Sequence, residues 1–235
     1  MSTALLQVRN IVKDYRALRP LRLQSLDLQP GEQLALLGFD QAAAEVLVNL
    51  LTGALLPDAG TVSLFGEPTS AITNAEGWVR FLDQFGLISE RAVMLDQLSA
   101  GQNLAMPLSL SVQSMPPEVR DAVRGLAGEV GLSAEELERP LGSLPALHRQ
   151  RVRLGRAVAL SPRVLLAEHA NAPLSGPDTR TFAGDLARVA ATRGMALLVL
   201  TANRDFATSI TSKVATLQPA TGELKPLPGW RRWLP

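Results

Sequence analysis

The chain has 235 residues with no cysteine and two histidines, and its 23 Lys plus Arg against 22 Asp plus Glu leave a formal charge of +1. That balance, with only 4% aromatic residues, argues against a nucleic-acid surface, and the missing thiols exclude disulfides and thiolate metal sites. A composition 46% hydrophobic and 19% charged is that of a globular domain, expected to be soluble and cytoplasmic: the N-terminus does not read as a signal peptide, and the most apolar stretch, Ala42 to Pro57, is interrupted by Glu45 and Asn49.

Along the chain, Ala4 to Val8 and Leu21 to Leu28 read as strands, and Pro30-Gly31 as a turn into a short apolar strand, Glu32 to Leu37. Gly38 opens a loop, Ala43 to Leu51 reads as a helix ending at Gly53, and Pro57 to Gly60 turns into a strand from Thr61 to Phe65. Phe85 to Ser89 is a further strand. Helical periodicity follows over Asn103 to Val112, Pro117 to Gly131 and, capped by Ser133, on to Glu138. The α/β pattern resumes with a helix from Ala146 to Leu160, a buried strand Val164 to Ala167, a helix Pro177 to Thr192 and an apolar strand Met195 to Thr201. A short helix, Asn203 to Ile210, and strands at Val214 to Leu217 and Glu223 to Lys225 complete it. The fold class is three-layer α/β with an antiparallel β part and an inserted helical subdomain. One domain is expected, with its core at about 1–89 and 146–225, the helical subdomain at about 90–145 and a tail at 226–235. That tail ends in Gly229-Trp230-Arg231-Arg232-Trp233-Leu234-Pro235, read as docking on its own surface, with contact to a membrane interface or a partner as the alternative.

A strand, a glycine, a loop and a helix is where a mononucleotide fold keeps its phosphate cradle, written Gly, four residues, Gly, Lys, then Ser or Thr. Here the run is Gly38-Phe39-Asp40-Gln41-Ala42-Ala43-Ala44-Glu45, and only the first glycine matches. Pro30-Gly31-Glu32, the LVNLLTG run from Leu47 to Gly53, Pro57-Asp58-Ala59-Gly60, Asn103 to Leu108, Gln150 to Ala157 and Pro162 to Leu166 together resemble the ATPase (nucleotide-binding) domain of ABC transporters. The likeness runs from about Val8 to Leu224.

The resemblance implies a P-loop NTPase-like fold, an adenine-stacking ring at Tyr15, and partners. These are a membrane permease bound through the helical subdomain and the groove near Glu90, and a second cassette, either itself or a homologue, as dimer partner. It implies a place at the cytosolic face of the membrane. It also aligns the chemical positions, and most of them differ. Ala43 stands for the second glycine, Ala44 for the Lys and Glu45 for the magnesium-binding hydroxyl. Glu90 stands for the Q-loop glutamine, and Leu144-Pro145-Ala146-Leu147-His148 for the Leu-Ser-Gly-Gly-Gln signature. Glu168 and His169 stand for the Walker B Asp and the catalytic Glu, Ser175 for the D-loop Asp, and Ala202 for the switch histidine.

Loss of the Lys removes charge-assisted bonds worth about 1.5–3 kcal/mol each. Asp40 and Glu45 add repulsion of about 1–4 kcal/mol per close pair with a triphosphate. On that arithmetic affinity falls on the order of a thousandfold. The expectation is therefore a catalytically inactive pseudo-ATPase with these residues as vestiges, no metal site and no ATP or magnesium cofactor. It would serve as a structural or regulatory subunit of a transport complex. The alternatives are a soluble protein-interaction module on the same fold, or a weak ATP-binding or ATP-hydrolysing subunit with a rebuilt site.

Overall fold

The computed structural model describes residues 4–72 and 74–228; the expected docking tail from Gly229 to Pro235 lies outside the described residues. In chain order the elements begin β1 (Leu6–Lys13), β2 (Leu21–Leu28), β3 (Gln33–Leu37), α1 (Gln41–Leu51), β4 (Ala59–Leu64), β5 (Glu67–Pro68), α2 (Ala75–Leu82) and β6 (Phe85–Ile88). They continue with α3 (Ala100–Ala105), α4 (Pro117–Val130), α5 (Ala134–Glu138), α6 (Ala146–Val158), β7 (Val164–Glu168), α7 (Gly176–Thr192), β8 (Ala196–Leu200), α8 (Arg204–Ile210), β9 (Val214–Gln218) and β10 (Glu223–Pro226).

Two sheets organise them. A four-stranded antiparallel sheet has the order β2–β1–β4–β5, and a six-stranded sheet has the order β10–β9–β3–β8–β7–β6, parallel except for β10 at its edge. In β1 and β2 the apolar residues alternate, and the register pairs Leu6 with Leu28, Val8 with Leu26 and Ile11 with Leu23 on the buried face. The central strands β3, β7 and β8 are apolar apart from Gln33 at the start of β3 and Glu168 at the end of β7, as strands covered on both faces should be. Their alternate residues split between two cores. Leu34, Leu36, Leu166 and Leu198 pack towards α1 and the antiparallel sheet, while Ala35, Leu165, Leu197 and Val199 pack towards α6, α7 and the helical lobe.

The helical lobe is α3 to α5 against α6, with Leu104, Val123, Leu126, Val130 and Leu137 buried between them. It is fastened to the sheet by Arg193 after α7, whose guanidinium grips Glu129 of α4 with two bonds of 2.6 Å and donates a third, also 2.6 Å, to the Val158 carbonyl. Arg151 of α6 bonds Asp185 of α7 at 2.8 Å alongside. Among the described residues no helix is long and apolar enough to cross a membrane.

The sequence reading leaves 66–84 without an element, yet α2 forms there, capped by the Asn74 side chain on the Gly77 N–H at 2.7 Å. Trp78, Phe81 and Leu82 give it a half-buried apolar face at helical spacing, a two-turn signal that the sequence reading passed over. The helix expected over Asn103 to Val112 instead runs Ala100–Ala105. Ser99 and Gln102 form a reciprocal capping box that starts it early, and Pro107 lacks the N–H that would extend it.

Candidate functional site

The parallel strands β3, β6, β7 and β8 end on the same side of the sheet, where open α/β sheets bind ligands. Gly38 turns the chain out of β3 at φ +87°, a conformation open to glycine at no steric cost, and a Cβ there would sit 3.0 Å from the Leu217 carbonyl. Asp40 then caps α1, its carboxylate accepting the Ala43 N–H at 2.7 Å. Ala44 is completely buried in the core beneath the helix, so that position offers a ligand no side chain.

Tyr15 is half-buried and borders a cleft of about 80 Å³ shared with Gly38, Asp40 and Ala43, with Arg19 and Arg22 on its rim. Burial first, and the Asp40 charge second, push the Tyr15 phenol above its usual range, so it stays neutral and hydrogen-bond competent.

β7 ends at Glu168, whose side chain is wholly shielded from solvent. Gln41 at the start of α1 donates to one carboxylate oxygen at 2.7 Å, and Arg91 donates to the other at 2.6 Å. The same guanidinium reaches Glu45 at 3.5 Å and Asn49 at 3.3 Å through Nη1. Arg91 thus bridges α1 and the end of β7.

His169 follows in the left-handed region at φ +45°, uncommon for a residue with a Cβ. Its backbone is pinned by an N–H donated to the Leu200 carbonyl and a carbonyl accepting from Ala172, both at 2.8 Å, while Nε2 is buried without a partner. A strained residue holding an unpaired polar atom marks a site where packing is subordinate to another demand.

Glu90 faces α6 instead, accepting from Arg153 at 2.7 Å and Gln150 at 3.2 Å. It lines a groove of about 390 Å³ with Met94, Ala146, Arg149 and Pro173. Leu144, Pro145, Ala146, Leu147 and His148 open α6. Leu144 and Leu147 are core, His148 Nε2 meets Glu136 of α5 at 2.8 Å, Pro145 is exposed and Ala146 faces the groove beside Glu90. Ser175 stands exposed at the head of α7 without a side-chain cap bond, and Ala202 is exposed beyond Thr201, whose hydroxyl donates to Asn171 at 2.7 Å. The structure therefore gathers Tyr15, Gly38, Asp40 and Ala43 at one cleft and Glu45 with Glu168 around Arg91.

Sequence reasoning passed over Arg91 and Gln41. A signal existed: Arg91 is the only basic residue between Arg80 and Arg120.

The ABC transporter family model matches residues 21–171, from β2 through the site to the residues beyond β7. The chain belongs to the ABC transporter family. It is 30% identical over 209 residues, 87% of this chain and 92% of the relative, to the lipoprotein-releasing system ATP-binding protein LolD of Psychrobacter arcticus. It is 28% identical over 220 residues to the methionine import ATP-binding protein MetN 2 of Pseudomonas aeruginosa, covering 91% of this chain but only 64% of that relative. Among solved structures, cbiO1 from Clostridium perfringens, part of an ABC transporter complex, superposes with a TM-score of 0.79 over 94% of this chain and 86% of its own at 17% identity. A bacterial ABC transporter cassette solved as a dimer gives 0.77 over 96% of this chain and 100% of its own at 19% identity. The same cassette has been solved with ADP and Pi, at a TM-score of 0.76. These neighbours establish the three-layer ABC ATPase fold.

The comparisons correct the expectation of a non-enzymatic pseudo-ATPase with a degenerate phosphate loop and no ATP or magnesium. Relatives that match over nearly the whole chain are ATP-binding proteins by name, and the match runs through the altered loop. The structure supplies the physical reason that the sequence arithmetic overshot. That arithmetic removed one cation and left Asp40 and Glu45 as free anions. In the fold the Asp40 carboxylate is committed to the α1 cap, and Arg91 brings a permanent positive charge to Glu45 and Glu168.

The residues suit the groups the family implies. Glu45 and Glu168 supply hard oxygens for magnesium, and they are the residues that would hold it. Among the described residues no set of three or more His, Cys, Asp or Glu is arranged around a metal. Tyr15 offers a ring for the base, and the Gly38 turn lets backbone approach the phosphates.

Proposed function

We propose that the chain is the ATP-binding subunit of a membrane transport complex, using ATP bound between Tyr15, the Gly38 turn and the end of β7. The observation that carries this reading is the extent of the family match, which runs over residues 21–171, from β2 through the Gly38 turn and the helical lobe to the end of β7. In this reading the subunit sits at the cytosolic face of a membrane permease, with the helical lobe and the groove beside Glu90 as the docking side. It pairs with a second cassette, its own copy or a homologue. The residues aligned with the family's chemical positions form a rebuilt site. His169 is the group nearest the role of the water-activating base, supported by its unpaired Nε2 and its constrained backbone.

The test is purification of the tagged chain from membranes of its own cells, followed by ATP turnover of whatever complex is recovered. The expected result is an integral membrane partner in stable association and ATP hydrolysis that falls about a hundredfold or more in His169→Ala, within the range assigned to a general base. Recovery without any membrane subunit, or hydrolysis indifferent to His169, would overturn the respective half of the reading.

A further inference from the structure

We infer that Arg91 is the phosphate-binding cation of this site, replacing the charge absent at Ala44, and that it reaches the nucleotide by exchanging its bond to Glu168 for one to phosphate. The inference rests on the ATP-binding reading above and names the residue through which that site works.

Position is the first argument. Gln41 is the first residue of α1, and its side chain and the Arg91 guanidinium hold the two oxygens of a single carboxylate, at 2.7 and 2.6 Å. Arg91 therefore lies within one carboxylate's width of a side chain at the α1 N-terminus, where the helix dipole and free N–H groups favour an anion. It also lies beside the ends of β6 and β7, on the ligand side of the sheet. The local chain holds it there: the Ser89 hydroxyl, just past β6, accepts the Arg91 N–H at 3.2 Å.

Bonding is the second argument. One contact is short and charge-assisted, the 2.6 Å bond to Glu168, whereas those to Asn49 at 3.3 Å and Glu45 at 3.5 Å are at the limit of hydrogen-bonding distance. The guanidinium carries five N–H donors in a planar fork that matches phosphate oxygens in pairs, so it can serve a phosphate with donors now weakly used. Its side chain is 34% exposed, against none for Glu168, so a ligand has access to the cation while the carboxylate behind it does not meet solvent.

Charge balance at the site also depends on Arg91. Arg91 is the one cation paired with Glu45 and Glu168 among the described residues, with Asp40 close by capping the same helix, so without it the two carboxylates at the end of β7 and on α1 would stand uncompensated and repel a polyphosphate. When phosphate takes the guanidinium, Glu168 keeps Gln41 and the two carboxylates are released together. Nucleotide and Glu168 thus compete for one side chain, and that competition has a sign. Neutralising Glu168 should strengthen nucleotide binding. A carboxylate whose only part was to hold the nucleotide's metal would weaken binding in magnesium when neutralised and give no gain without it.

The experiment is calorimetric titration of ATP and of AMP, each with and without magnesium, into the purified chain, Glu168→Gln, and Arg91→Ala combined with Glu168→Gln. The double variant avoids stranding a buried charge, which Arg91→Ala alone would do. Glu168→Gln is expected to bind ATP more tightly than the unaltered chain in magnesium-free buffer. The double variant should then bind ATP about tenfold or more weakly than Glu168→Gln, the loss of one charge-assisted bond, while AMP affinity hardly changes. Equal ATP binding by the double variant and Glu168→Gln overturns the role of Arg91 and leaves ATP binding standing. Weaker ATP binding in Glu168→Gln without magnesium overturns the exchange. No ATP binding by any of the three proteins overturns both this inference and the nucleotide reading beneath it.

Discussion

The Gly86→Ala substitution tests whether the base of the site is built by direct contact of backbone on backbone. Gly86 lies in β6, and a Cβ added there would stand 2.3 Å from the Ala157 carbonyl oxygen, 3.0 Å from its carbon and 3.0 Å from a Leu165 methyl. Comfortable contact needs about 3.5 Å, so α6 and β6 must part by about 1 Å. A rotamer change cannot relieve this, because the obstructing atom belongs to the main chain. Overpacking of this kind costs about 1–3 kcal/mol, with the upper end expected where backbone must move, and reduced freedom of the unfolded chain returns about 0.4–1 kcal/mol.

A net loss of about 2 kcal/mol lowers the melting temperature of a chain this long by roughly 4–8 °C. The same displacement would separate Glu90 from Gln150 and Arg153, which face it from α6. Gly125→Ala is the matched control. It is exposed in the middle of α4 with nothing within 4 Å of the new Cβ, so it should stabilise the protein by about 0.5–1 kcal/mol through helix propensity alone. Thermal and urea unfolding measure both. Gly86→Ala melting at or above the unaltered protein would refute the packing described between β6 and α6.

Three further outcomes follow from the same contacts. Arg193→Lys keeps the charge but loses the fork that holds Glu129 twice and Val158 once, so unfolding should cost about 1–3 kcal/mol less, with amide exchange rising first in α4; protection unchanged in α4 contradicts this. Tyr15 is the only tyrosine in the chain, so phenolate absorbance reports it alone; the folded protein should titrate above its own unfolded form, and Asp40→Asn should bring the value part of the way down, burial being the larger cause. Glu136 is held below the usual carboxylate range, chiefly by the Ser133 backbone N–H, with His148 and Arg151 adding smaller effects. A depressed carboxylate adds stability that is present above its unfolded value, about pH 4.3, and that is lost as pH falls through the folded value. Urea midpoints of Glu136→Gln should therefore lie below the unaltered protein at neutral pH and converge with it in acid; parallel curves would exclude a contribution from that charge.

How far the sequence could be read depended on whether a feature is local. Glu32 to Leu37, Val164 to Ala167 and Met195 to Thr201 announce buried parallel strands because each is an apolar run bounded by turn residues, and all three lie in the central sheet. Gly38, Gly53 and Gly131 mark ends of elements, each with positive φ. The short α2 escaped although Trp78, Phe81 and Leu82 recur at helical spacing, because eight residues carry only two turns of the pattern, and α3 was misplaced because its start is written in the Ser99–Gln102 pair rather than in hydrophobic period.

The site was misjudged for a different reason. Position-by-position comparison asks what stands where Lys should be, and Ala44 answers that the charge is gone. Electrostatics depends on distance in space, and the charge paired with Glu45 and Glu168 comes from Arg91, which is remote in sequence and separated from α1 by two strands of the other sheet, by α2 and by β6. No local pattern links Arg91 to Glu168, since the parallel pairing of β6 with β7 alone brings their ends together. The same logic applies to Asp40, which reads as an anion facing phosphate until its carboxylate is seen capping the helix it precedes. A substitution in a motif shows that a group has left one position; whether the chemistry has left the site is decided by what the fold returns to the same place.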